Sequence, residues 1–121
     1  MAECAYTLKA TDKSDVYSMG IVLMELVTGL IPTDKKFTGD MDMVRWVQTL
    51  TSSSPPLRDE LFDGALKPLT PKEESSMLQV LDISLQCTRA APTERPSSRK
   101  VSDLLLHVLL KIHRIGSMKK M

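Results

Sequence analysis

Glycine, cysteine and aromatic residues are all scarce in this 121-residue chain, and each shortage removes a class of function. The 5 glycines (Gly20, Gly29, Gly39, Gly64 and Gly116) stand far apart, so no glycine-rich loop brings backbone N–H groups against a phosphate. The 2 cysteines, Cys4 and Cys87, make neither a disulfide framework nor a CxxC pair, which fits a reducing setting. The 2 histidines, His107 and His113, lie on different faces of one helix and are solvated or helix-end residues rather than metal ligands. A Cys–His nucleophile pair is the remaining combination of these side chains, and no motif supports it.

Long apolar runs are missing as well. No stretch approaches the roughly 20 apolar residues that span a bilayer. The start, Met1-Ala2-Glu3-Cys4, has neither the basic residues nor the apolar core of a secretory leader. Charge of either sign is not in excess: 16 Lys and Arg face 15 Asp and Glu, so the molecule as a whole does not read as an obvious nucleic-acid binder. The distribution is uneven, however. Residues 1–60 carry 6 basic and 9 acidic side chains, residues 61–121 carry 10 and 6. A basic C-terminal helix is the one feature behind a reading as a DNA-binding module, and a solvated helix face with a basic tail accounts for it. Alternating strand patterns do not occur.

What is present is helical periodicity around one greasy segment. From Val16 to Val27 only Ser18, Gly20 and Glu25 interrupt the apolar residues, which point all round a 3.6-residue period. Such a segment predicts a buried central helix over residues 12–28. Thr11, Asp12 and Ser14 are its candidate N-caps, and Gly29 is placed to end it in the left-handed region. A turn of helix is expected around Glu3 to Tyr6.

Further along, Gly29 to Gly39 reads as an irregular loop. Asp40 or Asp42 caps a second helix with Met43, Val44, Val47 and Leu50 in one stripe and Trp46 on its flank. The Ser52–Pro56 cluster stops it, and offers a weak phosphorylation signal at Ser52 to Ser54. A short helix from about Arg58 to Leu66 points Leu57, Leu61, Phe62 and Leu66 inward. Thr70-Pro71-Lys72-Glu73 is a helix start with cap, first-position proline and third-position glutamate. That helix runs to about Thr88, with Leu78, Val80, Leu81, Ile83, Leu85 and Cys87 as its apolar face. A loop from Ala90 to Pro96 leads into the last helix, Ser97 to Ile112. The expected fold is all-α, about five helices around the central one. The eight methionines fill core gaps; an adaptable peptide-binding surface is the minority reading.

Three charged residues stand out. Asp15 suits the positive first turn of a helix, and a buried acid there would also hold a neighbouring loop by its N–H groups. Glu25 sits within the greasy helix and needs a partner or an exit to solvent. Arg95, fixed between Glu94 and Pro96, has the setting of an arginine paired to a carboxylate.

These residues also match a family. Lys13-Ser14-Asp15-Val16-Tyr17-Ser18-Met19-Gly20-Ile21-Val22-Leu23-Met24-Glu25-Leu26 resembles the αF segment of plant receptor-like Ser/Thr kinases. Leu85-Gln86-Cys87-Thr88 and Glu94-Arg95-Pro96-Ser97 are similar to the segments that follow in the C-terminal lobe, in order and at the expected spacing. With Asp42-Met43-Val44-Arg45-Trp46-Val47 they resemble the leucine-rich-repeat receptor kinases of the GASSHO type, over nearly all of residues 3–110.

The resemblance implies a partial, truncated protein-kinase-like C-lobe over residues 1–112, followed by a disordered basic tail at 113–121. It implies that Glu3 is the glutamate of the Ala-Pro-Glu motif, with Ala2 where the family has proline, and that Arg95 pairs with it. Asp15 is then the αF aspartate that bonds the catalytic-loop backbone, and Glu25 an acid on the substrate-facing side. The family's glycine-rich loop, strand lysine, His-Arg-Asp loop and Asp-Phe-Gly site are not among these residues. The expectation is therefore no catalytic, cofactor-binding or metal-binding residue in this chain, although the parent family uses ATP and Mg. Expected partners are proteins (a kinase or kinase substrate), with neither nucleic acid nor membrane contact, and with self-association through exposed apolar surface. The expected location is cytoplasmic, the parent receptor lying in the plasma membrane. The alternative is a non-catalytic interaction or decoy module that binds a kinase or its partner.

Overall fold

The computed structural model describes the backbone of residues 2–55 and 58–120 and the side chains of residues 12–55 and 59–111. The described residues form α-helices joined by loops and two 3-10 turns, with no strand among them.

Helix α1 spans Ala2–Thr28, well beyond the expected residues 12–28. A Ser, Thr or Asp becomes a cap only where the chain before it leaves helical geometry. Neither proline nor glycine lies between Ala2 and Thr11 to force that departure, so Thr11, Asp12 and Ser14 lie inside the helix instead of starting it. Its other end falls where glycine was expected to set it: Gly29 has φ 73° and its N–H donates to the Glu25 carbonyl at 2.8 Å. The Thr28 hydroxyl closes the turn, donating to Met24 O at 2.7 Å and accepting from Leu30 N at 3.2 Å.

Burial of α1 is one-sided. Val16, Gly20, Met24, Val27 and Thr28 are buried, whereas Val22 is 50% and Leu26 66% exposed. Among its described side chains, the helix greasy on every side is thus covered on one side only, where Val16 meets α4 and α5 and Met24 and Val27 meet α2, α3 and Leu81. Ile31, past the helix end, is also exposed.

Helix α2 (Met43–Ser52) starts at Asp42, whose Oδ1 accepts from Arg45 N at 2.8 Å. Met43, Trp46, Val47 and Leu50 are buried. Trp46 is itself part of the core, packed edge-on by Phe37 at 5.6 Å between centroids and overlain by the Lys36 ammonium at 5.1 Å. The short helix expected over 58–66 is broken. Helix α3 covers only Arg58–Leu61, and Asp63 then caps a 3-10 turn at Gly64–Leu66 through Ala65 N. Leu61 and Phe62 are buried but Leu66 is exposed, and Leu57 lies outside the described residues. The break is anchored by Asp63 N, which donates to Val27 O at the end of α1 (2.9 Å).

Helix α4 (Pro71–Cys87) begins with the expected reciprocal cap: Thr70 Oγ1 accepts from Glu73 N and Glu73 Oε1 accepts from Thr70 N. A 3-10 turn at Pro92–Glu94 precedes α5 (Ser98–Lys120), whose backbone stays helical past the expected end at Ile112; side chains from 112 onward lie outside the described residues. The core has two parts. Met24 and Val27 of α1 join α2, α3 and Leu81, while Val16 joins Ile83, Cys87, Val101 and Val108 of α4 and α5.

Candidate functional site

Arg95 is the most heavily used of the residues singled out by sequence. Its Nε donates to Arg89 O at 2.7 Å, Nη1 to Lys13 O at 3.2 Å and Nη2 to Ala90 O at 3.3 Å. The guanidinium lies 4.8 Å from the centre of the Tyr17 ring, and Lys13 Nζ donates back to Arg95 O at 2.8 Å. The fixed fork of donors thus ties the turn before α5 to the middle of α1 through main-chain carbonyls. The carboxylate expected opposite it, Glu3, has a side chain outside the described residues.

Asp15 is exposed rather than buried. It borders an apolar groove of about 460 Å³ with Ser18, Met19, Val22 and Leu23 of α1 and Leu105 of α5. Two residues along a helix correspond to a rotation of about 200°, so Asp15 and Tyr17, which carries Arg95, face nearly opposite ways. Glu25 is half-buried and reaches solvent, which meets the requirement of a charge on this helix. It lies ten residues from Asp15, about 15 Å along the axis. The structure therefore does not gather Asp15, Glu25 and Arg95 into one constellation.

Cys87 is free and wholly buried, and burial raises its thiol pKa. His107 is exposed on α5, while Cys4 and His113 have side chains outside the described residues. Among the described residues no three His, Cys, Asp or Glu side chains come together as they would around a metal ion. No helix of the described residues is long and apolar enough to cross a membrane.

Two residues with defined roles were not apparent from the sequence. Tyr17 carries the Arg95 guanidinium, and Gly20 allows α4 to approach α1 closely. Only the packed arrangement shows either.

No family model matches the chain. Individual relatives do. It is 62% identical over 106 residues to the LRR receptor-like serine/threonine-protein kinase GSO1 of Arabidopsis thaliana, a match covering 88% of this chain and 8% of that protein. It is 57% identical over 108 residues to GSO2 of the same plant, covering 88% and 9%, and 45% identical to Receptor-like protein kinase 5, covering 88% and 10%. The chain thus spans about a tenth of the length of the relatives it matches. The all-helical structure agrees with a segment of a kinase C-lobe. The chain belongs to the plant leucine-rich-repeat receptor-like serine/threonine protein kinases.

Proposed function

We propose that these residues serve as the scaffold of a receptor-like kinase C-lobe on the cytoplasmic side, and that the 121 residues alone do not transfer phosphate. The observation behind this reading is the one-sided packing of α1. One side holds α4 and α5, while Val22, Leu26 and the groove beside Asp15 stay open, as suits a helix meant to carry further elements of a lobe. Asp15 would then hold the backbone of a catalytic loop, Arg95 would pair with Glu3, and Glu25 would lie on the substrate side. Phosphoryl transfer by the parent, from ATP with Mg to Ser or Thr of a protein, needs a phosphate-covering loop, a strand lysine and metal-holding carboxylates. Those parts are not among the residues here.

Mg–ATP is expected to leave the melting temperature of the chain unchanged. A rise of several degrees would mean a nucleotide site exists here and would refute the reading, since ligand binding to the folded state stabilises it by mass action.

A decoy role is the second reading, favoured by the exposed Leu106, Leu109 and Leu110 of α5, which form an apolar surface suited to a protein partner. It predicts that the chain captures an intact receptor kinase domain on a pull-down; the scaffold role predicts that it does not.

A further inference from the structure

Helix α5 presents an apolar stripe to solvent. Val101 and Val108 turn into the core with Val16, Ile83 and Cys87, whereas Leu106, Leu109 and Leu110 are 55%, 60% and 52% exposed. By helical rotation those three leucines share one arc of about 100°, on the side away from Val101 and Val108. Positive charge is gathered on the same helix. Residues 99–121 hold Arg99, Lys100, Lys111, Arg114, Lys119 and Lys120 against Asp103 alone. Asp103 comes before the leucines, and four of the six basic residues come after them. Arg99, Lys100 and Lys111 are exposed, and the helical backbone runs on to Lys120.

We propose that this end of α5 docks on the surface of an anionic phospholipid bilayer, its leucines dipped below the headgroups and its basic residues held by them. Basic residues alone suit any polyanion, and leucines alone suit any apolar surface. Together they select a surface that offers both. A nucleic-acid backbone would leave the leucines in water. A groove in a protein partner reads helix anchors at i, i+3, i+4 and i+7. Counted from Leu106, the last of these is His113, and Ser102 stands one turn before the stripe. One turn of leucines is too short for such a groove, yet it is enough to enter the headgroup boundary. Contact along the surface needs no spanning helix, and none occurs among the described residues. It departs, however, from the expectation of no membrane contact. The proposal stands apart from the scaffold role, whose open side is on α1, and assigns to lipid the leucines that the decoy reading gives to a protein.

The test floats the full 121-residue chain on a density gradient with vesicles of phosphatidylcholine, either alone or with about 30% phosphatidylserine. Flotation separates lipid-bound chain from self-associated chain, which sinks. The chain is expected to rise with the phosphatidylserine vesicles and not with phosphatidylcholine alone. Raising salt from about 50 to about 300 mM should weaken binding markedly, as screening requires. Leu109→Ser/Leu110→Ser should lose about tenfold or more in affinity, and Lys111→Gln about fivefold, with unchanged thermal melts because all three side chains are exposed. Val22→Ser/Leu26→Ser, an equal loss of exposed apolar surface on α1, should stay within about twofold. Equal flotation with both vesicles, or equal losses in the two double variants, would overturn the proposal. Failure to float, with retention on a poly-glutamate resin, would hand this face to an acidic protein instead.

Discussion

Gly20 on α1 meets Cys87 on α4 so closely that a Cβ at position 20 would stand 2.7 Å from the Cys87 Cβ. The Thr88 methyl at 2.8 Å and the Ser84 carbonyl oxygen at 2.9 Å close the other sides. The last of these is backbone, so the neighbours cannot move aside by a rotamer change. Gly20→Ala is therefore expected to destabilise the chain. Forcing a methyl into a packed interior costs about 1–3 kcal/mol. The better helix propensity of alanine returns about 1 kcal/mol at most. Packing wins, and urea unfolding should show a net loss; a midpoint equal to or above that of the parent would show that α1 and α4 are free to separate.

Arg95 offers a second prediction. Hydrogen bonds from a charged donor contribute about 1.5–3 kcal/mol when buried, and Arg95 is half-buried, so Arg95→Ala should cost about 1–2 kcal/mol. Arg95→Lys keeps the charge but cannot reach Arg89, Lys13 and Ala90 together, and should recover less than half of that loss. The pairing with Glu3 implied by the family is separable by a double-mutant cycle. Independent sites add within about 0.5 kcal/mol. A coupling above 1 kcal/mol between Glu3→Gln and Arg95→Ala supports the pair, and strict additivity disposes of it.

The signals legible in sequence were those made by neighbours along the chain. Thr70, Pro71 and Glu73 specify a helix start because the hydrogen bonds involved span three residues, and Gly29 specifies an end because only its own φ matters. Asp42 belongs to the same group. The sidedness of α1 was not legible. Val22 and Leu26 have the same composition signal as the buried Met24 and Val27, and only the packing of α2, α3 and α4 against the second pair separates them. Gly20 and Tyr17 draw their roles from residues more than sixty positions away, Cys87 and Arg95, so no local pattern marks them. The charges fared likewise: Asp15 fits a first turn, yet the structure places it mid-helix beside an open groove. The family resemblance named its role, and the geometry of this chain leaves its side chain exposed.

Cys87 supplies a pH-dependent prediction. Burial raises its pKa above the ordinary thiol range, about 8.5, because the thiolate is poorly solvated at the α1–α4 contact. The folded state therefore holds this proton more tightly than the unfolded chain. Its contribution to stability is fully present below the unfolded-state value and is lost as pH rises through the folded-state value. Unfolding midpoints should consequently fall on the alkaline side of about pH 8.5, and Cys87→Ser should flatten that fall. Reaction of Cys87 with a maleimide at neutral pH should be slow until denaturant is added. Prompt labelling of the native chain at this position would show that α1 opens readily from α4.

The exposed strip on α1 makes the last prediction. Leu26 at 66% and Val22 at 50% exposure lie one helical turn apart, and Ile31 beyond Gly29 is 54% exposed. Contiguous apolar surface of this kind drives association in water. Leu26 makes no core contribution, so Leu26→Lys removes apolar area without leaving a cavity, unlike a change at buried Met24. The variant should keep the stability of the parent within about 0.5 kcal/mol, as surface substitutions do. Its light-scattering mass at high concentration should fall toward that of the monomer, and less of a dye that reports apolar surface should bind. A mass and dye signal identical to the parent's would move the associating surface to Leu106, Leu109 and Leu110 of α5, where Leu109→Lys is the corresponding variant.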